Sequence, residues 1–195
     1  MFTYCNNSPV LFADHQGARM VMARDGGGYS YSDAERVIIK NKEVIKNASK
    51  KYNVDPKVVA GCIYTEQSSN YNYVDKLTDM PLYFIDTSIG IGQVKVSTAR
   101  KLIDSGLVDA VGKRNTNFDI ARKLQSDDVF NIECVAAYLS NHQDQWCDVY
   151  DISGDPAILG TLYNVGERSP HKNPKPSPFG EKVKDCYWHM ELLLQ

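Results

Sequence analysis

The stretch Tyr52-Asn53-Val54-Asp55-Pro56-Lys57-Val58-Val59-Ala60-Gly61-Cys62-Ile63-Tyr64-Thr65-Glu66-Gln67-Ser68 decides how this chain is read. Asp55-Pro56 is a helix start, with Asp as the cap and Pro in the first turn, where no backbone donor is needed. Behind it Val59, Cys62 and Ile63 share one side of a helix. At 100° per residue Glu66 projects between Cys62 and Ile63, onto that same side. A carboxylate at the end of an apolar stripe is partly desolvated, and desolvation favours its protonated form. Such a group is suited to give up a proton near neutral pH.

Helical punctuation continues on both sides of this stretch. Upstream, Ser32-Asp33-Ala34-Glu35 is a capping box, followed by Ala34, Val37, Ile38, Ile45, Ala48 and Tyr52 at helical spacing. Residues 1–31 contain Gly26-Gly27-Gly28 and no sustained periodicity, which predicts an irregular arm. Downstream, residues 67–89 are rich in Tyr, Asn and Asp and predict a long polar loop or small β-hairpin. A tight segment, Ser88-Ile89-Gly90-Ile91-Gly92-Gln93-Val94, follows. Ser97 is then expected to cap a short helix ending near Gly106, with a weaker helix around Phe118–Leu124. Asp127 or Asp128 caps a strong helix through Ile132, Val135, Ala136, Leu139 and Trp146. Asp155-Pro156 opens a short helix that Gly166 terminates. Residues 168–178 hold four prolines and form a loop, and a last helix runs near Phe179–Leu194 with Val183, Cys186, Tyr187, Met190 and Leu194 inward. The expected fold is mostly α: about six helices with a polar excursion beside a groove, as an arm over 1–31 and one domain over 32–195.

Composition narrows the function. The chain has 195 residues, 43% hydrophobic and 24% charged, with a net charge of −2. These are globular proportions, and the charge balance argues against binding nucleic acid through bulk electrostatics. No apolar run reaches the roughly 18 residues of a membrane span, and no secretory signal is legible. Among Cys5, Cys62, Cys134, Cys147 and Cys186 there is no CxxC pair and no zinc-type spacing to a His. Cys62, Cys134 and Cys186 lie on apolar helix faces, as small buried hydrophobes or as disulfide partners in an oxidising compartment. No Cys stands in a polar setting near a His. His15, His142, His171 and His189 share no spacing and are read as surface or packing residues. No metal or organic cofactor is implied.

Four motifs in order carry a resemblance. The quoted stretch resembles the catalytic helix of the lytic transglycosylases and goose-type lysozymes, which ends in the catalytic Glu. Gly90-Ile91-Gly92-Gln93-Val94 is similar to that family's Gly-Leu-Met-Gln-Val/Ile. Asn131-Ile132-Glu133-Cys134-Val135-Ala136-Ala137-Tyr138-Leu139 is similar to its Asn-Ile-x-x-Gly-x-x-Tyr-Leu helix. Leu162-Tyr163-Asn164-Val165-Gly166 resembles its Ala-Tyr-Asn-Ala-Gly. The likeness spans roughly residues 36–190. Two departures stand out: Gln67 intervenes where the family has Ser directly after the Glu, and Gly92 replaces its Met.

The resemblance implies a lysozyme-like fold and cleavage of the MurNAc–GlcNAc β-1,4 bond of peptidoglycan, with Glu66 as general acid/base. It implies that Ser68, Gly90, Gln93, Tyr163 and Asn164 line the sugar site. Gln93 can donate and accept hydrogen bonds as a sugar requires, and two glycines allow close backbone approach to a ligand. Tyr71, Tyr73 and Tyr83 are candidate stacking platforms, and of these Tyr83 is counted among the substrate contacts. Hydrolysis with inversion would need a second carboxylate roughly 6.5–9.5 Å away; Asp86 is the first candidate, Asp79 the second, and Asp75 lies further back. With no second acid, Glu66 would act alone and yield a 1,6-anhydro end. The glycan strand is the expected partner. The site of action is the periplasm or cell wall, reached as a secretion-system effector, a phage lysin or a domain of a larger protein. An effector would have a small immunity or inhibitor protein as its partner. The alternative from another class is a non-catalytic wall-binding module.

Overall fold

The computed structural model describes residues 31–69, 88–112 and 115–195. The described chain is mostly helical. α1 (Asp33–Tyr52) opens at the expected capping box: the Ser32 hydroxyl accepts from Glu35 N–H, and the Glu35 carboxylate accepts from Ser32 N–H. α2 (Pro56–Ser69) opens at Asp55, whose carboxylate accepts from Lys57 N–H. A two-stranded antiparallel hairpin follows, β1 (Ser88–Ile89) and β2 (Val94–Lys95), with Ile89 opposite Val94. The glycine-rich segment is therefore the turn of this hairpin. The expected loop over 67–89 falls mostly outside the described residues.

α3 (Val96–Asp104) begins directly from β2, with Lys95 as its N-cap and no side-chain cap bond. The expected cap at Ser97 is displaced, because β2 pairing fixes the chain through Lys95 and the helix starts as soon as the ladder ends. α4 (Asn117–Ser126) has a capping box between Thr116 and Asp119. Asp127, rather than Asp128, caps α5 (Asp128–Trp146) by accepting from Phe130 N–H. α6 (Pro156–Val165) is capped by Asp155, which accepts from Ala157 and Ile158 N–H, and it stops at Gly166 with φ 86°.

The single last helix expected near 179–194 is two, α7 (Pro178–Asp185) and α8 (Tyr187–Leu194), broken at Cys186. The break lets α7 run along α6 and α2 while α8 crosses α1 and α2. Tyr187 then donates from its hydroxyl to Asp55 at the start of α2. His189 Nε2 lies 2.8 Å from the buried Glu35 carboxylate at the start of α1. Eight helices among the described residues thus replace the six expected.

α2 and α5 are the interior of the domain. Val59, Ala60, Cys62 and Ile63 of α2 are fully buried, as are Ile132, Cys134, Val135, Ala136, Ala137 and Leu139 of α5. A helix surrounded by others is apolar on nearly all sides, so its periodicity is weak. α2 packs against α1, α5, α6, α7 and α8. Glu66, in its last turn, therefore marks where the central helix leaves the core.

The α6–α7 crossing is the closest helix contact of this scaffold. A Cβ on Gly180 would lie 2.0 Å from Ala157 O and 2.2 Å from Thr161 Oγ1. Thr161 is committed there, donating to Ala157 O at 2.7 Å and accepting from Ser177 N–H at 2.8 Å. Gly180→Ala forces these backbones apart and is expected to cost about 2 kcal/mol or more. A melting temperature about 5 °C or more below wild type is the measured outcome; an unchanged one contradicts the packing described.

Candidate active site

Glu66 opens onto a cleft of about 220 Å³, lined also by Ser88, Gln93, Val94 and Lys95 of the hairpin. Ser97, Thr98 and Lys101 of α3, Cys134 and Tyr138 of α5, and Tyr163 through Glu167 at the end of α6 complete the lining. All four motifs read from sequence meet there, the one on α5 through Cys134 and Tyr138.

The hairpin turn is held by side chains from three helices. Asn131 of α5 is fully buried; its Oδ1 accepts from Gly92 N–H at 2.8 Å, and its Nδ2 donates to Ile89 O at 2.9 Å and Leu124 O at 3.1 Å. Tyr163 of α6 donates from its hydroxyl to Gly92 O. Gln67 of α2 donates to Ile91 O at 2.7 Å. The residue that departs from the expected Ser after Glu66 therefore ties the helix carrying the acid to the turn across the cleft.

The glycines serve this latch. A Cβ on Gly90 (φ 76°) would lie 2.1 Å from Asn131 Nδ2, and one on Gly92 would lie 2.4 Å from Val135 Cγ2. Both require the backbone to touch α5, which a larger side chain would prevent. Gln93 takes a left-handed conformation (φ 52°) and donates from Nε2 to Gly90 O at 2.8 Å. Its amide thus braces the turn while its side chain lines the cleft.

The remaining expected site residues divide. Asn164 is exposed at the cleft and Tyr163 is buried in it. Burial first, then the neighbouring Cys62 and Glu66 charges, hold the Tyr163 phenol well above its usual range. It stays protonated and serves as a fixed donor. Gly90 and Ser68 do not line the cleft. Ser68 is exposed and hydrogen-bonds the Tyr64 hydroxyl. Two residues along a helix are 200° apart, so Ser68 leaves α2 on the side opposite Glu66. Asp75, Asp79, Asp86, Tyr71, Tyr73 and Tyr83 lie outside the described residues. Asn131, which holds the turn, and Tyr138, which lines the cleft, both stand in a quoted motif but carry no residue-type signal for the site.

Among the described residues two carboxylates line the cleft, Glu66 and Glu167, and Glu167 is paired with Lys101 at 3.0 Å. Cys134 also lines it, but burial pushes its thiol up to about 12, so it is no nucleophile at neutral pH. Cys62 and Cys186 are buried and free. Among the described residues no group of His, Cys, Asp and Glu is arranged to hold a metal ion.

Behind the cleft, His142 is fully buried against Tyr138, ring centroids 4.4 Å apart. Neither ring nitrogen has a hydrogen-bond partner among the described residues. Burial holds its imidazole down at about 4, opposed by the Glu167 charge. The native His142 stays neutral where the unfolded one, titrating at about 6.5, takes up a proton. The unfolded state thus gains protons between pH 6.5 and 4, and stability falls as pH falls through that window. His142→Phe is expected to gain on wild type across it by as much as roughly 3 kcal/mol, read from urea midpoints at several pH values. A difference that does not change with pH would refute this.

A mostly helical domain whose central helix delivers a glutamate to a cleft, facing a short glycine-turn hairpin, is lysozyme-like. The family model for the catalytic domain of the T6SS peptidoglycan muramidase Tse3 matches residues 30–144. The chain belongs to this family. Peptidoglycan muramidase Tse3 of Pseudomonas aeruginosa is 26% identical to it over 140 residues, which are 70% of this chain and 34% of that protein. The chain therefore spans about a third of that relative's length. Neither comparison supports a non-catalytic binding module.

Proposed function

We propose that this domain hydrolyses the MurNAc–GlcNAc β-1,4 bond of peptidoglycan, with Glu66 as the general acid. The observation that carries it is the placement of Glu66: it leaves the buried central helix at the edge of a cleft whose opposite side is latched in place. Glu66 donates its proton to the glycosidic oxygen as the C1–O bond breaks, and the bonding electrons leave with that oxygen. A water then adds to C1 and gives its proton to a base. Asp86 and Asp79 are the candidates for that base. Gln93, Tyr163 and Asn164 position the sugar, Tyr163 by holding the Gly92 carbonyl in place.

A second reading keeps Glu66 as sole acid and base. After proton donation its carboxylate accepts the proton of the substrate's own C6 hydroxyl, whose oxygen closes on C1. The engagement of Glu167 by Lys101 favours keeping this reading. We further propose an antibacterial effector, acting on the wall in the periplasm and neutralised in the producing cell by a small immunity protein. No helix among the described residues is long and apolar enough to cross a membrane.

Mass spectrometry of fragments released from purified peptidoglycan tests the proposal. Reducing ends, one water heavier than anhydro ends, support hydrolysis. Anhydro ends establish the single-acid route, and no fragments overturn the enzyme reading.

A further inference from the structure

The cleft has a cationic side. Lys95, Thr98 and Lys101 follow one another every three residues from the start of α3, and all three line the cleft that Glu66 opens onto. They span about 9 Å along the helix axis at 1.5 Å per residue. Lys101 is already paired with Glu167. Lys95 is exposed, and its ammonium has no ion-pair or hydrogen-bond partner among the described residues. Helix stability does not explain it. The N-cap position favours Ser, Thr, Asp or Asn, and a cation there faces the positive end of the helix dipole. A residue that breaks a local rule beside a functional site is expected to serve the site.

The proposed substrate offers the complementary charge at one place. Its sugar rings are neutral, and its acidic groups hang from the lactyl arm of MurNAc, as carboxylates of the attached peptide or as the bare lactyl carboxylate. Resting on the proposed glycosidase activity, we propose that Lys95 receives a carboxylate on the lactyl arm of MurNAc, so that the cleft selects acidic wall material over neutral glycan. A lysine suits this task, as a compact point charge on a flexible stem that follows a mobile peptide arm.

Lys95→Gln and wild type are compared on three substrates: native peptidoglycan, peptidoglycan whose carboxylates are amidated with methylamine, and glycan strands stripped of peptide by an amidase. The readout is the initial rate of fragment release at low substrate. Wild type should lose about tenfold on amidated wall, the scale of one charge-assisted hydrogen bond. Lys95→Gln should show that loss on native wall and none further on amidated wall. Lys95→Glu should lose more, and added salt should shrink every difference. Stripped glycan that behaves like amidated wall assigns the contact to a peptide carboxylate. Stripped glycan cut at the native rate or faster shows that the lactyl carboxylate, freed by the amidase, makes the same contact in place of the peptide's. Lys95→Gln cutting native wall at the wild-type rate, or losing equally on native and amidated wall, overturns the proposal while leaving the glycosidase reading intact. Wild type releasing nothing from any substrate overturns both.

Discussion

Glu66→Gln is expected to release fragments from peptidoglycan about 10²–10⁴-fold more slowly than wild type, the range for loss of a positioned general acid. The amide has the shape of the carboxyl but no proton to give at neutral pH. Glu66 is half-buried at the end of α2, so the variant keeps the helix and its packing. Its melting temperature should match that of wild type, and sedimentation with insoluble wall should show undiminished binding. The effect then lies in kcat alone, as expected when an interaction made only in the transition state is removed. A variant that still clears wall suspensions at near the wild-type rate moves the acid elsewhere and removes the central claim about this cleft.

Asn131→Ala has the largest expected effect on stability. The side chain satisfies three buried backbone groups at once: Gly92 N–H, Ile89 O and Leu124 O. Removing it orphans all three, and each buried unsatisfied group costs about 1–3 kcal/mol. A total loss of about 3–5 kcal/mol is expected, read from the urea midpoint. Activity should fall further than the folded fraction alone explains, because the turn that carries Gln93 loses its anchor on α5. A loss under about 1 kcal/mol would mean that Tyr163 and Gln67 suffice to hold the hairpin.

Much of this architecture was legible before any coordinates. Ser32, Asp55, Asp127 and Asp155 all cap helices where local chemistry places them, because capping depends on residues within one turn. Glu66 on the apolar helix was legible for the same reason: its angular position follows from spacing alone. What stayed hidden depends on distant partners. Nothing local distinguishes Asn131 from a surface asparagine; its role comes from a hairpin 42 residues earlier in the chain. Gly90 and Gly92 announced a close approach but not to what, and the answer is α5. The break at Cys186 was invisible because its apolar spacing continues unaltered into α8, and only the competing attractions of α6 and α1 bend the chain. Ser68 was carried into the site by analogy, while its 200° offset from Glu66 already directed it elsewhere.

The latch on the glycine turn also bears on how the protein breathes. A turn of this kind normally exchanges its amide protons quickly, since loops open without disturbing the rest of a fold. Here the Gly92 N–H is bonded to a fully buried side chain. Ile91 O, Ile89 O and its own carbonyl are tied to residues 24, 42 and 71 positions away. Freeing that proton requires α2, α5 and α6 to part, which is nearly global unfolding. Hydrogen exchange should therefore find Gly92 among the slowest amides, protected like the middle of α5. This wall of the cleft would then be present whenever the protein is folded, and not remade at each encounter with substrate.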